Sequence, residues 1–131
     1  MQKRPINPQT WLGGFHMNQA IEVSGGDRTL YISGQTSNDA EGNALHAGDI
    51  VAQTRQAWDN IIEVLDEAGM TADNIVRMSI YTTDVDAFMT HAEQIVPVWA
   101  GAGCKPVSTL LGVEKLFHPD IMVELEVTAV G

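Results

Sequence analysis

DIVAQTRQAWDNIIEVLDEAG, residues 49–69, is the stretch on which the reading of the fold turns. Ile50, Thr54, Ala57, Ile61, Leu65 and Ala68 recur at steps of three and four, which gathers them on one side of a 3.6-residue helix. Val51, Trp58, Ile62 and Val64 widen this stripe beyond a coiled-coil seam, as expected for a helix laid across a sheet. Gln53, Arg55, Gln56, Asp59, Glu63, Asp66 and Glu67 fall on the side expected to meet water. Asp49 is placed to cap the first turn, and Gly69 can take the left-handed conformation that ends the last.

Strand patterns lie on both sides of this helix. Residues 1–15 hold Pro5, Pro8, Gly13 and Gly14 and predict an irregular lead-in anchored by Trp11 and Phe15. Asn18–Ser24 and Arg28–Ser33 read as two strands joined at Gly25-Gly26-Asp27 in a hairpin, followed by a polar loop from Thr36 to Asp49. Beyond the helix, Val76, Met78, Ile80 and Thr82 alternate with Arg77, Ser79, Tyr81 and Thr83, a strand with two distinct faces. A second helix is expected with Phe88, Ala92, Ile95 and Trp99 inward, Asp84 or Asp86 as its cap and Pro97 disturbing its last turn. Strands at Val107–Val113 and Met122–Val130 complete the order ββαβαββ, with Val123, Leu125, Val127 and Ala129 on one face of the last.

This order predicts a two-layer α+β sandwich with both helices on one sheet face. The other face is expected to carry Arg77, Ser79, Tyr81, Ser108, Glu124 and Glu126 among apolar Tyr31, Leu110 and Met122. Such a mixture fits burial in an oligomer, and it also fits an exposed sheet face.

Composition narrows the function. A length of 131 residues suits one domain, 1–131, and no apolar run approaches the ~20 residues a membrane span needs. The start MQKRPINPQTW has no apolar segment of the secretory kind, so a cytoplasmic location and no membrane partner are expected. A net charge of −10 with only 7 Lys and Arg argues against a nucleic-acid partner, whose phosphates must be neutralised. Cys104 stands alone, and His16, His46, His91 and His118 show no ligand spacing, so no metal is expected. Gly13-Gly14 follows no strand, and neither Ser108 nor Cys104 sits in a nucleophile elbow; no nucleotide cofactor is expected.

Four segments in order, Tyr31-Ile32-Ser33-Gly34-Gln35, the helix at 49–69, NIVRMSIYTTDVDAF at 74–88 and VELEVTAV at 123–130, resemble the Rid family, also called the YjgF or perchloric-acid-soluble protein family. The resemblance runs from Gln19 to Val130. It implies a chorismate-mutase-like fold and a homotrimer with sheets turned inward, whose three intersubunit clefts bind small carboxylated metabolites. It also implies hydrolysis of imines and enamines to keto acids and ammonia without a cofactor.

Function is carried over residue by residue, because a shared fold does not transmit chemistry. The family's deaminases read Pro-Ala-Arg-Ser where this chain has Pro106-Val107-Ser108-Thr109, so Ser108 stands at the position of the Arg that grips the substrate carboxylate. Losing a charged hydrogen bond of that kind costs about 1.5–3 kcal/mol of binding. Lys105 precedes the strand and is a poor substitute, while Arg77 could either meet a ligand or neutralise Glu124 or Glu126. Gly34 matches the small residue that lets backbone approach the ligand, and Glu124 the carboxylate that orients the attacking water. Met17 or Phe15 falls where the family has Tyr, and Thr109 is placed to help Ser108 bind a neutral ligand. Two readings follow: a hydrolase for imines or enamines of non-standard specificity, motivated by Glu124 and Gly34, or a non-catalytic small-molecule-binding or proteostasis protein, motivated by Ser108. A ribonuclease reading is disfavoured by the acidic charge.

Overall fold

The computed structural model describes residues 1–131. Its strands are β1 (Gln2–Ile6), β2 (Ala20–Ser24), β3 (Thr29–Thr36), β4 (Ile75–Thr82), β5 (Val107–Gly112) and β6 (Val123–Val130). The helices are α1 (Ile50–Glu67) and three short pieces, α2 (Val85–Thr90), α3 (Ala92–Ile95) and α4 (Pro97–Ala100), with 3-10 turns at Trp11–Phe15 and Ala72–Asn74.

The central helix forms as its sequence predicts. The Asp49 side chain accepts from the Ala52 N–H at 3.0 Å, and Gly69 takes φ +70 just past the end. Ile50, Thr54, Ala57, Trp58, Ile61 and Leu65 are buried against the sheet, with α1 packed on β3 and β6. Gln53 departs from expectation. It is fully buried, because its amide has partners that no helical wheel displays: Nε2 donates to the carbonyls of His46 (3.1 Å) and Asp120 (2.7 Å), and Oε1 accepts from the Met122 N–H (2.8 Å).

The main sheet runs β3-β6-β4-β5, with β4 and β5 parallel and the other pairs antiparallel. Val123, Leu125, Val127 and Ala129 of β6 and Met78 and Ile80 of β4 all turn toward the helices and are no more than 1% exposed. Burying each of the Val, Leu, Ile and Met side chains among them contributes about 1.5–3 kcal/mol. The expected second helix is broken into three pieces, first at His91 and again before Pro97, which has no N–H to continue the ladder and starts α4 instead. Its inward residues Phe88, Ile95 and Trp99 are nevertheless buried.

The expected hairpin between Asn18–Ser24 and Arg28–Ser33 does not form. β2 pairs with β1, from Gln2 opposite Ser24 to Ile6 opposite Ala20, so the first part of the lead-in read as irregular is a strand. Gly25, at φ +72, turns the chain out of this two-stranded ribbon. Arg28 and Gly131 then exchange backbone hydrogen bonds (2.9 and 3.0 Å), which docks β3 on the last strand.

No helix covers the second face of the main sheet, where Tyr31 is 80% and Leu111 49% exposed. That face also bears Arg77, Ser79, Tyr81, Thr109, Glu124 and Glu126.

Candidate functional site

The candidate residues fall into two groups, and strand register decides which. β5 lies parallel to β4 with Ser108 opposite Met78 and Leu110 opposite Ile80. Residues paired in this way share a face, and Met78 and Ile80 are core residues. Ser108 and Leu110 therefore look toward the helices, not onto the bare face expected for them. Thr109, one residue along, looks the other way and is exposed, so it cannot assist Ser108.

The segment before β2 closes over Ser108. Its 3-10 turn ends at His16 in the left-handed region (φ 51), and the Trp99 indole N–H donates to the Phe15 carbonyl at 3.1 Å. Asn18, 5% exposed, then fastens the segment to the start of β5: its backbone N–H donates to the Pro106 carbonyl (2.9 Å) and its side-chain amide to the Lys105 carbonyl (2.6 Å). Phe15, Met17 and Ser108 thus come to line one cavity of about 280 Å³, walled further by Leu12, Phe88 and Trp99. Ser108 is its single polar lining residue, and the Ser108 hydroxyl donates to the Met78 carbonyl. Trp11, expected as an anchor, stands at this cavity 65% exposed.

Glu124 and Gly34 form the other group. Between Ile32 and Gln35 the pairing of β3 with β6 slips, three steps on one strand against two on the other, so Ser33-Gly34 is a bulge. A Cβ on Gly34 would stand 2.1 Å from Glu124 Oε1 and 2.6 Å from its Cδ, so the carboxyl group rests directly on this bulge. Glu124 lies opposite Tyr81 in β4, and Glu126 opposite Ser79, on the bare face. Burial, and then the neighbouring charge of Glu126, raise the Glu124 pKa above the ordinary glutamate range. No cation offsets this: the ion pairs are Arg4–Glu22 and His118–Asp120, and Arg77 pairs with neither Glu124 nor Glu126.

Sequence reasoning missed Leu12, Leu110, Phe88 and Trp99 as cavity walls. The last two read as core, which they also are; only the closure of the lead-in over β5 makes them a lining. Elsewhere, a cleft of about 740 Å³ at the start of α1 is lined by His46, Arg55, Asp59 and His91, charges of both signs. No group of three or more His, Cys, Asp or Glu side chains is arranged to hold a metal ion. Cys104 is buried and its thiol is pushed up to about 12, so it is not a nucleophile at neutral pH.

A two-layer α+β sandwich with a carboxyl group seated on a glycine bulge of its bare sheet face, and an apolar cavity behind its edge strand, is of the chorismate-mutase-like class. A family model described as Endoribonuclease L-PSP matches residues 15–131, and the chain belongs to this Rid/YjgF family. A RutC family protein of Aquifex aeolicus is 34% identical over 113 residues, 86% of each chain. The mouse 2-iminobutanoate/2-iminopropanoate deaminase is 37% identical over 76 residues, which cover 58% of this chain and 54% of the mouse protein. Among solved structures, the Rid protein YyfB of Yersinia pestis, described as of unknown function, superimposes with a TM-score of 0.87 at 33% identity over the whole of both chains.

Proposed function

We propose that the protein is a cofactor-independent hydrolase of imines or enamines, working in clefts between copies of itself. The observation that carries this reading is the Glu124 carboxyl, held on the Gly34 bulge with its proton affinity raised and no cation beside it. A carboxylate so prepared orients water and takes up its proton. Water adds to the carbon of C=N while the nitrogen gains a proton; the carbinolamine then collapses to carbonyl and ammonia, so that R₂C=NH and H₂O give R₂C=O and NH₃.

The cavity at Ser108 and the carboxyl of Glu124 lie on opposite faces of one sheet, so one ligand reaches both only if a second copy supplies the other half. The bare face, with Tyr31 and Leu111 exposed, suits burial against such a copy, and a closed ring of three is the arrangement the family resemblance implies. Related deaminases lend support, since one is 37% identical over 76 residues.

The test is ammonia release from imines generated in situ, 2-imino acids by an amino-acid oxidase and uncharged imines by an amine oxidase that releases free imine. The reading expects acceleration over buffer with at least one of them, and a fall of about 10²-fold or more in Glu124→Gln. No acceleration with either, or an unchanged Glu124→Gln, contradicts it. Ser108 favours a second reading, a non-catalytic binding or proteostasis protein, because the family's positive charge is absent at that position. Saturable ligand binding with no turnover of either imine would establish that reading.

A further inference from the structure

The cavity behind Ser108 is more selective than its size suggests. At about 280 Å³ it exceeds the roughly 150 Å³ apolar cavity that suffices to hold benzene, and nine of its ten lining residues are apolar. None of the ten is Lys, Arg or His. We propose that this cavity takes an uncharged, ring-sized or branched apolar group, so that the substrates are the N-unsubstituted imines left by oxidation of apolar amines rather than 2-imino acids. The proposal rests on the reading of this cavity as one half of the cleft.

Four features point the same way. A carboxylate entering the cavity would give up its water for walls with no cationic partner, and that transfer is strongly unfavourable. The one hydroxyl present, Ser108, already gives its proton to the Met78 carbonyl and keeps only lone pairs for a ligand, so it welcomes an N–H or O–H rather than an anion. At longer range, the net charge of −10 repels anions approaching from solution. Trp11, 65% exposed and lining the same cavity, adds an aromatic surface on which a ring can stack.

Benzamide and benzoate are near-isosteres that differ in charge, and their binding to the full chain by ligand-observed NMR or calorimetry tests the proposal directly. Benzamide is expected to bind at least about tenfold more tightly, the equivalent of one charged hydrogen bond foregone. Ser108→Arg should reverse that order. Trp11→Ala, which removes an exposed side chain and leaves the core intact, should weaken benzamide about three- to tenfold. Benzoate binding as tightly as benzamide, or neither binding at all because a neighbouring copy fills the cavity, would overturn the proposal. Turnover separates it from the hydrolase reading. Faster hydrolysis of a 2-imino acid than of the benzylamine-derived imine overturns the selectivity and leaves the hydrolase standing, whereas benzamide preference with no hydrolysis of either imine removes the hydrolase and leaves the selectivity.

Discussion

Glu124 is kept where it is by a missing side chain. Any residue larger than glycine at position 34 meets the carboxyl group first, and because that group ends a flexible chain it would swing aside and leave the sheet largely undisturbed. Gly34→Ala is therefore expected to lower kcat by about 10²-fold through displacement of the proposed general base, at a stability cost under about 1 kcal/mol by urea denaturation. The pH dependence has a definite sign. A carboxyl whose pKa is raised on folding favours the fold below the ordinary glutamate range, and this contribution is lost as pH rises through the folded value. In the proposed hydrolysis the ionised form is the active one, so the acid limb of kcat/KM should lie above that range. Glu126→Gln removes the repulsive charge and should shift the limb to lower pH, leaving the part due to burial; an unmoved limb would show that the two carboxyls are uncoupled. Both Gly34 and Glu124 were legible as residues from their surrounding motifs. Their contact was not, because it depends on a bulge that no alternation pattern reveals.

At the scale of elements, the helix and the two inner strands follow their sequence periodicities, and the failures share a cause. Gln53 reads as solvent-facing because its partners lie outside the helix, His46 in the loop that enters α1 and Asp120 and Met122 in the segment before β6. It fastens those loops to α1, so Gln53→Ala should cost roughly 2–4 kcal/mol, the sum of three hydrogen bonds and the buried groups left unpaired. Urea unfolding checks this; a loss below about 0.5 kcal/mol would mean that the loops hold themselves. Likewise the faces of β4 and β6 are readable from alternation, but that of β5 is not. A parallel strand shares the phase of its neighbour, and β5 lies on β4 with Ser108 opposite Met78, a register that the strand's own residues do not reveal. The β2–β3 hairpin fails for a related reason: turn chemistry at Gly25-Gly26-Asp27 is real, but β1 competes for β2 and β6 captures β3.

At the scale of the whole molecule, one chain carries the Ser108 cavity and the Glu124 carboxyl on opposite faces of one sheet, and in the proposed trimer they would meet only across a seam. Sedimentation should find three chains in the particle, and Leu111→Glu, which puts a charge on the bare face, should shift the mass toward one chain. The most direct measurement is complementation. Glu124→Gln and a cavity-blocked Leu110→Arg, each inactive alone, would be unfolded together, refolded as a mixture and assayed for ammonia release from the imine the natural sequence hydrolyses. In randomly mixed trimers about a quarter of the seams pair an intact carboxyl with an intact cavity, so roughly a quarter of the original turnover should return. A mixture as inactive as its parts would mean that no cleft is shared between copies.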